Sequence, residues 1–270
     1  MLSDITIGQF FPGKSLLHRM DPRVKLALTF AYIIVIFLPK NWVGLAAAVA
    51  FLAVCVLLSS IPPKVLLKGL KPVIPLLIFT SIINVFYVDG PTKWEFWIFS
   101  ISLEGIYTAL FIALRILCLI AASSLLTYTT SPTTLTDALE RLMSPLRVVK
   151  VPVHEIAMMM TIALRFIPTL IEETDKIMLA QKARGADMES GNLLQRVKAL
   201  IPVLVPLFVS SFRRAYDLAT AMECRCYHGG DGRTRMKQLH LSFKDYVSVF
   251  VMIAVVALMV ITNQVIPATI

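Results

Sequence analysis

The sequence predicts an all-α membrane protein, with about five transmembrane helices and a cytosolic platform of three helices, two of them long. Composition carries the first part of that reading. Hydrophobic residues fill 57% of the 270 positions and charged residues only 16%, with a mean hydropathy of +0.76, well outside the range of soluble domains. Periodicity carries the second part. Uncharged runs suited to spans stand at 25–40, 42–60, 72–88, 105–128 and 246–266, whereas 129–245 is basic and repeats its apolar residues at helical spacing. Three regions follow: 1–128 with four spans, 129–245 on the cytosolic side, and 246–270 with the last span.

Taken in chain order, the stretch up to Ser15 has no charged segment leading into an apolar core, so no cleaved signal peptide is expected. Asp21, Pro22 and Arg23 form a structural anchor that caps the entry to the first span and holds it at the headgroups. That span is short, about 24 Å if wholly helical, and Arg23, Lys25 and Lys40 extend its reach by snorkelling. Pro39 and Asn41 make a tight hairpin into the second span. Residues 61–71 begin with proline and carry Lys64, Lys68 and Lys71, the pattern of a short interfacial helix. Trp94, Phe96 and Trp97 supply an aromatic belt at the opposite interface.

Orientation follows from the basic residues. With the N-terminus inside, 23 of the 26 Lys and Arg face the cytosol, 16 of them between Tyr128 and Tyr246. Lys40 and Lys93 face out, and Arg115 sits within a span. Such an asymmetry sets topology, and it places the chain in the cell membrane, multi-pass, with the N-terminus and the platform cytoplasmic.

Two apolar stretches inside the basic region, 156–171 and 199–212, could themselves span. Crossing by both would put Lys176, Lys182, Arg184, Arg196 and Lys198 outside, and Arg165, Pro168, Pro202 and Pro206 interrupt them. Long amphipathic helices along the cytosolic face fit better. Ile156, Met159, Met160, Ala163, Ile167, Leu170 and Ile177 form one stripe, with Glu172 and Lys176 placed for an i, i+4 pair on another face. The second helix repeats the plan with Val197, Ile201, Leu204, Phe208, Phe212, Ala215, Ala219 and Met222. A shorter helix over 133–146, entered through Ser131-Pro132, precedes both.

The two long patterns end alike, in Ala180-Gln-Lys-Ala-Arg184 and Ala221-Met-Glu-Cys-Arg225. Gly185 stops the first; Gly229-Gly230 follows the second a little later, so with Cys226 in place of glycine that helix is expected to run on toward Gly229. An arginine near a helix C-terminus complements the dipole by about 0.3–1 kcal/mol. Small neighbours also leave each guanidinium projecting, suited to an acidic groove that matches its five donors.

Leu17-His18-Arg19-Met20-Asp21-Pro22-Arg23-Val24-Lys25-Leu26, Ala163-Leu164-Arg165-Phe166-Ile167-Pro168 and the two arginine tripeptides together resemble the transmembrane T component of energy-coupling-factor (ECF) transporters, over nearly the whole chain. The resemblance implies a non-catalytic subunit of an ATP-driven transporter. It would couple two cytosolic ABC-type ATPases, which hydrolyse ATP with Mg, to a membrane-embedded substrate-binding S component, commonly for vitamins. It would bind no cofactor of its own. By the same resemblance Ala183, Arg184 and Gly185, with Cys224, Arg225 and Cys226, dock the ATPases at the ends of coupling helices. Met158, Met159, Ile162 and Phe166 on the first long helix and Leu204 and Phe208 on the second are expected to meet the S component or the rest of the platform, Met lending an adaptable surface.

Other patterns point elsewhere and fail on context. Gly8-Gln-Phe-Phe-Pro-Gly13-Lys14-Ser15 matches the P-loop pattern, but no strand precedes it and Pro22 soon follows. Cys224-x-Cys226-x-His228 has soft-ligand composition, yet the two cysteines lie on different sides of a helix and a further ligand such as His240 would be needed, so no metal site is assigned. Disulfides are not expected of cysteines on the cytosolic side. The net charge of +9 serves orientation and lipid or acidic partners on a polytopic chain, and nucleic acid is not expected. Arg115 is an intramembrane charge that pairs with Glu104 or a bundle carbonyl, or meets a partner subunit. The rival of a self-sufficient secondary transporter would need ion-binding side chains and an inverted repeat. An enzyme would need a paired acid and base or a metal set. Neither is evident.

Overall fold

In the computed structural model the described residues are 10–87, 93–96, 99–186, 192–230 and 238–265. They divide into two compact units, one within Leu139–Lys237 and the other within Gly8–Ala138 and Gln238–Ile270. The described residues are helical apart from one hairpin and the connecting turns. Helices α1 (Leu16–Arg19), α2 (Pro22–Val35), α3 (Trp42–Ser59), α4 (Pro63–Leu70), α5 (Ile74–Tyr87), α6 (Leu103–Thr129) and α10 (Phe243–Val265) belong to the second unit. Helices α8 (Val153–Ala183) and α9 (Leu193–Glu223) belong to the first, and α7 (Pro132–Leu142) contains the division.

The second unit is built around α2, α3, α6 and α10. Its core gathers Tyr32, Val35, Ile36, Leu45, Ala48, Leu52, Phe111, Cys118, Ala122, Met252 and Met259. Polar clips at both ends of α2 fix it against α10. At the start of α2, Asp21 is the N-cap: its Oδ1 accepts from the Arg23 amide at 2.8 Å, and its own amide donates to Asp245 Oδ1 at 3.0 Å. At the other end Asn41 caps α3 by accepting from the Gly44 amide at 2.8 Å and donates to Thr262 O at 2.9 Å. Asn263 donates to Leu38 O at 2.7 Å and accepts from the Lys40 amide at 3.1 Å. Each clip satisfies backbone groups that a helix end leaves open.

Proline and glycine shape the rest of this unit. Lys71-Pro72-Val73 forms a 3-10 turn that joins α4 to α5, because Pro72 cannot donate to a helical ladder. Between α5 and α6 an antiparallel hairpin pairs β1 (Lys93–Phe96) with β2 (Phe99–Ser102), Lys93 opposite Ser102 and Phe96 opposite Phe99. Trp94 and Phe96 of the expected aromatic belt therefore stand on β1, while Trp97 lies outside the described residues. At the head of α6, a side chain on Gly105 would come within 2.9 Å of the Val85 carbonyl, so only glycine lets α5 and α6 approach this closely.

Among the described residues six helical stretches are long and apolar enough to cross a membrane: Trp42–Ser59, Pro63–Tyr87, Leu103–Thr129, Val153–Ala183, Val197–Glu223 and Phe243–Val265. Helix α2, at 14 residues, is about 21 Å long and falls short of them. Helices α8 and α9 qualify, whereas the sequence reading expects them along the cytosolic face. Apolar length alone does not separate a crossing helix from an interfacial one.

Arg115, midway along α6, finds a bundle carbonyl: it donates to Pro39 O at 3.0 Å, and its guanidinium lies 4.8 Å from the Phe111 ring centre and 5.5 Å from that of Phe37. The stretch after α6 is shorter than its pattern suggests. Helix α7 stops at Leu142 and a 3-10 segment takes over at Ser144–Val149, because Pro145 disfavours α geometry at Ser144.

Candidate functional site

Helices α8 and α9 are each 31 residues, about 46 Å, and pack on each other within their unit. Both run through their prolines, Pro168 in α8 and Pro202 and Pro206 in α9. Pro206 has no N–H, so the helix cannot satisfy the Pro202 carbonyl four residues back. Gln181 of α8 takes that role, donating from Nε2 to Pro202 O at 3.2 Å. Nearer the middle of α8, Glu173 accepts from Arg214 Nη2 at 2.6 Å and from the Ser210 hydroxyl. As residue numbers rise along α8 they fall along α9, so the pair is antiparallel. The two C-termini therefore lie at opposite ends of the pair, up to roughly 35 Å apart along the axes.

Each C-terminus closes on an arginine in the same way. In α8 the Gly185 amide donates to Lys182 O at 3.0 Å and the Ala186 amide to Gln181 O at 3.0 Å, with Gly185 at φ +86°. In α9 the Cys226 amide donates to Glu223 O at 2.8 Å and the Tyr227 amide to Met222 O at 3.1 Å, with Cys226 at φ +54°. Both are Schellman closures, a 6→1 bond around a 5→2 bond with a left-handed residue after the cap. The tripeptides Ala183-Arg184-Gly185 and Cys224-Arg225-Cys226 thus share the closure pattern, with the arginine directly before the left-handed residue in each.

The second closure corrects the expectation that α9 continues toward Gly229. The helix ends at Glu223 because Cys226 itself adopts the left-handed conformation, at a cost of about 1–2 kcal/mol for a residue with a Cβ. Arg184 and Arg225 are both exposed, and among the described residues neither enters a hydrogen bond or ion pair with another side chain. Each places a guanidinium with five N–H donors at the negative end of a helix dipole.

The family model CbiQ, described as cobalt transport protein, matches residues 13–237. A protein of Ruminiclostridium cellulolyticum named energy-coupling factor transporter transmembrane protein EcfT is 57% identical over 91% of this chain and 92% of its own length. The chain belongs to the EcfT family. Relatives of the same name from Clostridium kluyveri, 50% identical over 97% of this chain and 98% of theirs, and from Lactococcus lactis, 44% identical over 98% of this chain and all of theirs, agree end to end. Membership and the apolar helices make it a multi-pass membrane protein, the transmembrane component of a transporter.

Within this EcfT-family chain the remaining candidate residues separate by exposure. Met158, Ile162 and Phe166 are half-buried on α8, and Met159 is exposed. Leu204 and Phe208 are exposed on α9, and Phe208 stacks on Phe212 with ring centres 6.4 Å apart. With Val197, Ile201 and Val205 they make a continuous apolar face that the described residues leave open. Asp21, Pro22 and Arg23 stand in the other unit: Pro22 opens α2, and Arg23 binds Asp21 at 2.7 Å and the Leu239 carbonyl at 3.1 Å. The hydrogen bond to Asp21 raises the Arg23 pKa.

Sequence reasoning missed Glu173, Ser210 and Arg214. It saw the local Glu172–Lys176 pair instead, whereas Glu173 and Arg214 are 41 positions apart. The sign of opposite charges on two stripes was the one available clue. The P-loop pattern ends in Ser15, which caps the one-turn helix α1, with its hydroxyl 2.6 Å from His18 Nδ1.

Proposed function

We propose that the chain is the coupling subunit of an ECF transporter, linking ATP hydrolysis by two cytosolic ABC-type ATPases to movement of a membrane-embedded S component for uptake of vitamins or other micronutrients. The single observation that carries this reading is the duplicated closure: two helix ends that differ in the residue after the arginine, Gly185 and Cys226, close by the same bonds and expose the same guanidinium. A cap for stability alone does not require the arginine twice, since the closure bonds are made by the backbone. Two equivalent tips at opposite ends of one helix pair match two equivalent motors. Arg184 with Ala183 and Gly185 forms one docking tip, and Arg225 with Cys224 and Cys226 the other, each seated in an acidic groove where the guanidinium is matched bond for bond.

The rest of the assignment follows from charge and exposure. The basic excess between Tyr128 and Tyr246 holds the platform and the N-terminus on the cytoplasmic side, where ATP and Mg are available to the partners. The chain itself takes no cofactor and performs no chemistry. The open apolar face of α9, together with Met158, Met159, Ile162 and Phe166 of α8, receives the S component and lipid. When the ATPases close, the tips are drawn together, and α8 shears on α9 about Glu173 because packed helices move between discrete arrangements. Transport assays on reconstituted complexes test this division of labour. Arg184→Glu or Arg225→Glu alone lowers substrate uptake while ATP hydrolysis continues; full uptake in both single variants would refute a coupling role.

A further inference from the structure

The second unit contains a cavity of about 420 Å³ between α1, α2, α3, α6 and α10. Every element contributes the half that the charge count places toward the cytosol: Lys25 to Tyr32 of α2, Phe51 to Leu58 of α3, Ala122 to Thr129 of α6 and Phe243 to Met252 of α10. Its walls are mostly apolar, and the hydroxyls of Thr29 and Tyr32 are spent on the Lys25 and Ala48 carbonyls. Lys25 and Lys244, in the first turns of α2 and α10, line it with Thr129 at the end of α6 and Ser248. Lys25 is 7% exposed; its ammonium donates to Thr129 O at 3.0 Å and to Thr130 Oγ1 at 3.2 Å, which uses two of its three N–H groups. Lys244 is exposed at the mouth. The neighbouring carboxylates are held by hydrogen bonds, Asp245 accepting from the amides of Asp21 and Ser242 and Asp21 from Arg23, and both lie close enough to Lys25 to favour its charged form.

We propose that this slot seats one acyl chain of an anionic phospholipid, its phosphate meeting Lys244 and the remaining N–H of Lys25. Size and wall chemistry select the chain. The volume is within the range of small-ligand sites, about 300–1,000 Å³, and an apolar slot holds water poorly because its walls offer too few partners. Charge selects the headgroup. Two ammonium groups at the end of an apolar slot, at the depth where α2 and α10 begin, complement a lipid whose negative charge sits directly above its hydrocarbon. The slot lies wholly within one unit and does not involve the arginine tips, so the inference is independent of the coupling role.

The test uses the full-length chain, purified in mild detergent, stripped of lipid and titrated with phosphatidylglycerol or phosphatidylcholine of the same acyl composition, with bound lipid counted by native mass spectrometry. One phosphatidylglycerol is retained in preference to phosphatidylcholine. Lys244→Gln weakens phosphatidylglycerol roughly fivefold and leaves phosphatidylcholine unchanged. Cys55→Phe, which fills the slot, lowers retention of both; Leu58→Trp at its wall does the same should the first variant fail to fold, with helix content by circular dichroism as the control. Equal retention of the two lipids, unaltered selectivity in Lys244→Gln, or undiminished binding in a folded slot-filling variant would overturn the proposal. So would displacement by millimolar inorganic phosphate, which marks a headgroup-only site. Loss of the lipid from the assembled complex, with the slot residues protected from exchange instead, would assign the slot to a partner helix and equally overturn it.

Discussion

Glu173→Ala removes both side-chain bonds that Glu173 makes to α9, the ion pair to Arg214 and the hydrogen bond from Ser210. A hydrogen bond to a charged group is worth about 1.5–3 kcal/mol. The Glu173 and Arg214 side chains are 22% and 31% exposed, so solvent screening reduces the ion pair, and the combined loss comes to about 1–2 kcal/mol. Amide hydrogen exchange on the purified chain reads this locally: exchange in α8 around 170–178 and in α9 around 205–216 speeds up about 5–30-fold. A cycle with Arg214→Ala isolates the pair, with an expected coupling near 1 kcal/mol. Unchanged exchange in both helices, or strictly additive single variants, would show that Glu173 does not hold α8 to α9 and that the shear axis lies elsewhere.

The two caps give a paired prediction. Gly185→Ala forces a Cβ into a left-handed position and costs about 1 kcal/mol, whereas Cys226→Gly relieves the same strain and gains about 0.5–1 kcal/mol after the entropy of glycine is subtracted; exchange of the last turns of α8 and α9 moves in opposite directions. Asp245→Ala leaves the amides of Asp21 and Ser242 without their acceptor and costs about 2–3 kcal/mol, read as a lowered Tm in detergent, while Asp245→Asn, which keeps one acceptor oxygen, costs less.

Legibility in the sequence tracked the range of the interaction. Helices set by uncharged runs, such as α3 and α10, were readable because hydrocarbon imposes length and forbids charge. The end of α8 was readable because a helix stop is local: Gly185 falls within one turn of the last apolar residues. The same locality misled at Cys226, where a glycine rule was applied to a cysteine that accepts the left-handed conformation under the pull of two backbone bonds. Contacts set by tertiary placement were invisible, among them Glu173 with Arg214, Gln181 on the carbonyl freed by Pro206, and Asp245 on the amide of Asp21. Each joins residues too far apart in the chain for periodicity to report. The β1–β2 hairpin was missed for another reason, since Lys93 to Ser102 reads as an interfacial aromatic belt and its alternation is too short to outweigh the helices around it.

Co-purification of the proposed ATPase partners with an Arg184→Glu, Arg225→Glu double variant tests the central claim most directly, because reversing a charge that is matched and desolvated on docking would cost several kcal/mol at each tip. The double variant, folded and inserted in the membrane with its S component, is expected to emerge without ATPases. Recovery of both ATPases at the wild-type ratio would contradict the account.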